Sequence, residues 1–301
     1  MPSNRRAIAA LLLAAVAVAG GCGRDAAPVA ETAPAQPTQA VTQLVADLRA
    51  NDLAGYARHA VPPALHARLE TAWREGRTRW PLTELPLDDR LPGFITALAA
   101  PGADKQLLTT YNRQFAGAHG ELRSAAATLS LFATQYLRSE GDYSDDERAH
   151  YVQLVAAMSR WGQQAPLGDA QRARKAIPQL VTAARLTGLA GPDRFREAGM
   201  QRSLERLGPF FGRFKQVLAG YGLNLDAAFD SVQATLIEQT GDHARVRLHY
   251  TLAGQAIEAQ LQVERRDGRW YLRDILRHAE AEAAATSDAA VAAPAAARPS
   301  S

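Results

Sequence analysis

The residues whose types could do chemistry lie mostly on two alternating runs near the C-terminus. His243, Arg245, Arg247 and His249 occupy every second position of one run. Glu258 and Glu264 sit at the matching parity of the next. Bases opposite acids on one sheet face could bind a charged partner or move a proton, and Arg245, Arg247, His249 and Glu258 form the candidate binding surface. The histidines are six residues apart, about 20 Å along a strand, so they cannot share a metal ion. Elsewhere Asp88 and Asp89 are an adjacent carboxylate pair inside a proline-broken stretch. Asp142, Asp145, Asp146 and Glu147 lack the spacing and glycine of a calcium loop. Ser144 with Glu147 reads instead as a capping box opening a helix. His59 and His66 flank Pro62-Pro63 and make no ligand pair. No nucleophile elbow, zinc-protease motif or phosphate loop occurs, so no cofactor, metal or catalytic residue is assigned.

The chain has one cysteine, Cys22. Arg5 and Arg6 precede the uncharged run AIAALLLAAVAVA, which has the length of a signal-peptide apolar region and is short for a permanent bilayer span. Ala19-Gly20-Gly21-Cys22 follows and resembles the lipobox of bacterial lipoproteins, with Ala19 where that family usually carries Leu. The resemblance implies export, lipidation of Cys22 and stable attachment through more than one acyl chain. Gly23 follows the cysteine where an inner-membrane retention signal would place Asp, which implies an outer-membrane address facing the periplasm.

Composition narrows the partners. The formal charge is 34 − 31 = +3, and 32 − 31 = +1 once Arg5 and Arg6 leave with the signal. So small a field does not steer a protein to nucleic acid. With Cys22 acylated no thiol remains for a disulfide, and the fold must rest on its apolar core. The expected organisation is a signal at 1–21, the lipidated cysteine and an unfolded Ala/Pro/Thr-rich tether at 22–38, a helical region at 39–190, an α+β region at 191–278 and an unfolded Ala/Pro-rich tail at 279–301. Ala and Glu in 279–286 could extend a terminal helix by a turn or two.

These groups need elements to hold them. Apolar residues recur at helical spacing from about 39 to 229, including Leu122, Leu129, Phe132 and Tyr136, then Tyr151, Leu154, Val155, Met158 and Trp161. Pro178 predicts a kink or break in a helix at 169–187, and helices are predicted at 192–207 and 209–220. Trp73 and Trp161 fall at core spacing, whereas Trp80, beside Pro81 in a loop, is predicted to be exposed. After Asp230 the period becomes two, giving four strands, the last carrying Trp270, Tyr271, Leu272 and Ile275. A two-residue turn at Ala253-Gly254 predicts Tyr250 opposite Ile257, Leu248 opposite Ala259 and Val246 opposite Leu261. On the other face it sets His249 against Glu258, Arg247 against Gln260 and His243 against Glu264.

The chain is thus read as α+β, a mostly helical body with a C-terminal four-stranded antiparallel meander. Gly241-Asp242, Ala244, Val246, Asp267-Gly268 and Trp270 resemble the closing hairpins of NTF2-like (cystatin-like) domains of small bacterial lipoproteins. That likeness covers about 230–276 and implies a fold, not an activity. The expected role is a non-catalytic module that binds an envelope protein or maintains the envelope while its lipid holds a membrane. Two alternatives stand beside it: a carrier with an apolar pocket at Phe210, Phe211 and Phe214, and a hydrolase using Asp88, Asp89 or Glu258.

Overall fold

The computed structural model describes residues 35–84, 90–139, 143–191 and 193–285. Cys22, Asp88, Asp89 and Asp142 lie outside them. The described chain is α+β. Its helices are α1 (Pro37–Arg49), α2 (Leu53–His59), α3 (Pro63–Arg74), α4 (Leu91–Ala99), α5 (Ala103–Gln114), α6 (His119–Ser139), α7 (Asp145–Gln164), α8 (Ala170–Thr187), α9 (Arg194–Gly220) and α10 (Leu225–Asp230). Strands β1 (Gln233–Thr240), β2 (His243–Leu252), β3 (Gln255–Arg266) and β4 (Arg269–Leu272) follow, then α11 (Arg273–Ala284).

The sheet is an antiparallel meander in the order β1-β2-β3-β4. Tyr250 pairs with Ile257, Leu248 with Ala259 and Val246 with Leu261; His249 faces Glu258, Arg247 faces Gln260 and His243 faces Glu264. This is the register expected from the turn at Ala253-Gly254, where Ala253 takes φ 49° and Gly254 φ 75°. Ala244, Val246, Leu248, Tyr250 and Leu252 are buried on one face of β2. Helix α1 packs across that face, touching all four strands, and contributes Val41, Leu44 and Val45, each at most 2% exposed.

Two close approaches fix the helices. Lys215 of α9 reaches the end of α1, where its Nζ donates to the carbonyls of Leu48 (3.2 Å) and Arg49 (3.1 Å) and to Asp226 Oδ1 (2.5 Å). Nearby, a Cβ at Gly208 would lie 2.4 Å from the carbonyl oxygen of Asn51, so only glycine lets α9 pass this corner. Beyond β2, α7 runs along the free edge of β3. Gln153 uses its amide as a strand would: Oε1 accepts from the Glu258 N–H (3.0 Å) and Nε2 donates to the Glu258 carbonyl (2.7 Å). Gln153→Ala should cost about 1 kcal/mol, read as a lower midpoint in urea; an unchanged midpoint would mean water replaces the amide without loss.

Three expectations change and one is met. Ile275 belongs to α11, not to the last strand, because the chain turns helical at Arg273. That helix runs to Ala284 and buries Ala279, Glu282 and Ala283, which realises the extra turns that Ala and Glu could add. Trp80 is fully buried, not exposed. Its loop is pinned beneath α11, where Thr78 Oγ1 donates to Glu282 Oε2 (2.6 Å) and accepts from the Trp80 N–H (3.0 Å). Finally, α9 is continuous through Gly208-Pro209 and breaks instead at Gly199, whose φ of 77° and ψ of 172° are open to glycine and strained for other residues.

Candidate functional site

The densest convergence of titratable groups lies between α7, α11 and the 3-10 turn Leu82–Glu84. It starts from the capping box. Ser144 Oγ accepts from the Glu147 N–H (3.2 Å), and Glu147 Oε2 accepts from the Ser144 N–H (2.8 Å). Helix α11 passes this helix end and offers residues at one-turn spacing, Asp274, Arg277 and His278. Arg277 Nη2 donates to Glu147 Oε2 (2.6 Å), and Ser144 Oγ donates to Asp274 Oδ2 (3.2 Å). His278 stands between two carboxylates, its Nδ1 3.0 Å from Glu84 Oε2 and its Nε2 3.5 Å from Glu147 Oε1. Tyr56, Tyr151 and Leu272 help line the hollow between them, about 50 Å3 in volume.

Burial governs the protonation here. It raises the Glu147 carboxyl, and repulsion from Asp274 adds to the rise, although His278, the Ser144 N–H and Arg277 pull it back. Burial opposes the charge on His278, yet the hydrogen bond and charge of Glu84, with the charge of Glu147, raise its pKa above the ordinary value. The hollow has room for a few waters, far below the roughly 300–1,000 Å3 of a ligand site. Its polar atoms are spent on one another. The arrangement can share a proton among His278, Glu147 and Glu84 while clasping three elements together.

A group whose folded pKa is raised stabilises the fold below its unfolded value and loses that contribution as pH rises through the folded one. The stability lost in His278→Asn should therefore be larger at pH 6 than at pH 8.5. Equal losses in urea unfolding at both values would show that the Glu84 and Glu147 contacts do not hold the histidine charged.

The sheet-face residues come together as a pattern and not as a cleft. His249 and Glu258 are directly opposite, with Glu258 and Arg247 exposed on the open face. Arg245 is bound to Glu238 of β1 (2.6 Å). Of the phenylalanines considered for a carrier pocket, Phe210 is part of the core, and the Phe211 ring lies 5.2 Å from Lys215 Nζ. Among the described residues no group of three or more His, Cys, Asp or Glu is placed to hold a metal ion, and no helix is long and apolar enough to cross a membrane.

One further feature needed the structure to appear. Helix α6 packs chiefly on α7, and a second apolar face is left outside that contact. Leu129 is 67% exposed and Phe132 70%. With Leu122, Ala125 and Tyr136 they repeat at intervals of three, four, three and four residues, the seam of a helix that meets another helix. The spacing was visible in the sequence; that the stripe stays outside the core was not. Compared with known proteins, the chain matches no family model, no curated sequence and no solved structure.

Proposed function

We propose that the chain is an exported lipoprotein, anchored through acylated Cys22 in the outer membrane and facing the periplasm, and that it works by binding an envelope protein. The run from Arg5 to Cys22 supports the anchor. The observation that carries the binding role is the apolar seam of α6, since large side chains two-thirds exposed on a helix face are ordinarily covered by a partner. The polar clasp at Glu147 and His278 supports the same reading, because its groups are engaged in joining elements and enclose too little space for a substrate. The meander, with Gly241-Asp242, Asp267-Gly268 and Trp270 at its turns, supports an NTF2-like arrangement as the scaffold.

The experiment pairs anchoring with binding. Cells fed an alkyne fatty acid should label the chain, and Cys22→Ala should abolish the label and move the chain to the soluble fraction. Chemical crosslinking of the wild type should give one dominant adduct, lost in Phe132→Asp and kept in Arg247→Glu. An adduct lost only in Arg247→Glu would place the surface on the sheet instead. Labelling that survives Cys22→Ala would end the anchor reading.

A further inference from the structure

We propose that the α6 seam pairs antiparallel with α6 of a second copy of this chain, Leu129 against Leu129; this rests on the binding reading above and names its partner. The seam is Leu122, Ala125, Leu129, Phe132 and Tyr136, with the middle three exposed and the end two half-buried. Folding it on itself about Leu129 sets Ala125 of one copy opposite Phe132 of the other, twice over. Small meets large at both places, which is how facing layers interdigitate without voids. A parallel pair would set Phe132 on Phe132 and Ala125 on Ala125, crowding one level and emptying another. Antiparallel packing also brings opposite ends of the two helix dipoles together, and the two-fold relation closes at a dimer.

Charge points to the same occupant. The positions flanking the seam are Glu121, Ala126, Thr128, Ala133 and Gln135; the antiparallel order puts the two copies' Glu121 at opposite ends, so two copies meet without like-charge repulsion along the contact. A helix lying on an anionic bilayer would instead carry Lys or Arg beside its apolar stripe. The arginines of α6, Arg123 and Arg138, lie well round the helix from the seam, at 100° per residue.

Stability of the pair draws on the anchor. A stable dimer in dilute solution buries about 1,000 Å2 or more, and a seam of five residues on a 21-residue helix supplies little beyond that threshold. Residues 23–36 span at most about 50 Å even when fully extended. Lipid at Cys22 therefore confines every copy to a thin shell above one membrane, where the effective concentration of a neighbour is far higher than in free solution. A two-fold axis along the membrane normal keeps both tethers on the same side. The expected state is a dimer on the membrane and a monomer once released.

The test is a photo-crosslinking amino acid in place of Leu129 in the full chain, activated in living cells. The control carries it at Leu131, which is 73% exposed and about 160° round the helix. Position 129 should give an adduct of twice the chain mass, at least tenfold above position 131, and Phe132→Asp in the same chain should remove it. With the crosslinker at Ala125, the captured site should map near Phe132 of the other copy; capture at Ala125 itself would overturn the antiparallel order. An adduct of position 129 with a different protein would overturn pairing between copies and leave the binding reading standing. Adducts with lipid, or none while the chain remains on the membrane, would overturn both.

Discussion

Lys215→Met is expected to lower the free energy of unfolding by about 2 kcal/mol, the scale of stranding one buried carbonyl and losing hydrogen bonds from a charged donor. Methionine keeps most of the aliphatic stem, so the change removes the charged head and little volume. The head helps close α1: without it the Arg49 carbonyl loses its donor, while the Leu48 carbonyl keeps the Asn51 N–H (3.1 Å). It also sits 5.2 Å from the Phe211 ring and 5.0 Å from that of Phe229, contacts that favour a cation. Burial alone lowers the lysine's pKa, and Asp226 restores part of it, so some desolvation cost is recovered in the variant. Asp226 is not stranded either, since Arg49 stays 3.7 Å away. These offsets hold the expected loss at about 2 kcal/mol, below the range for a broken buried pair. Urea unfolding followed by circular dichroism would decide it, and a change within about 0.5 kcal/mol, ordinary for a surface site, would sink the account of α1's closure.

The second large effect is a loss of stability in acid that runs through His150. Its Nε2 lies 2.8 Å from the Tyr250 hydroxyl, the side chain is 2% exposed, and burial pushes its pKa down to about 4. The depressed value fixes the sign. Above the unfolded value of about 6.5 both states hold a neutral ring, and below it only the unfolded chain gains a proton. Stability is therefore complete above pH 6.5 and drains away as the pH falls toward the folded value. At about 1.4 kcal/mol per unit, the loss between pH 7.5 and 5 is about 2 kcal/mol. His278 works in the opposite direction over the upper part of that range, so the wild-type profile mixes the two. His150→Gln keeps a hydrogen-bonding group beside Tyr250 and cannot titrate. The difference between wild type and variant should shift by about 2 kcal/mol from pH 7.5 to 5, with His278 cancelling. A parallel pair of profiles would show that His150 is charged in the folded protein.

What the sequence made legible was whatever local pattern decides. The β2–β3 register followed from alternation and a two-residue turn, because a slip of one would have reversed every side chain. The Ser144–Glu147 box was legible for the same reason, since both partners lie within one turn of chain. The clasp built on it was not. Its other half arrives on α11, which starts at Arg273 directly after β4 with Leu272 at its N-cap and no side-chain cap to announce it. Reading Ile275 as strand hid the one-turn spacing of Asp274, Arg277 and His278, although Ile275, Leu276, Ala279 and Ala283 carry a helical period that could have revealed it. Trp80 was misplaced through the same gap, because the surface that buries it includes that helix. The α6 stripe marks another boundary. Periodicity announces a helix with an apolar face and is silent on whether that face meets the interior or the outside.

The amide of Gln153 has a consequence for how crowded this protein can become. An open strand edge is a template on which further chains can add wherever copies are crowded together. Along β3 that template is occupied at Glu258 by a side chain rigidly held on α7. Along β1 the ladder to β2 slips between Leu236 and Glu238, and such a bulge twists an edge away from flat pairing. The remaining edge strand, β4, is only four residues long, so the sheet offers little long, flat edge for polymer growth and a dense population can remain a population of separate folded molecules.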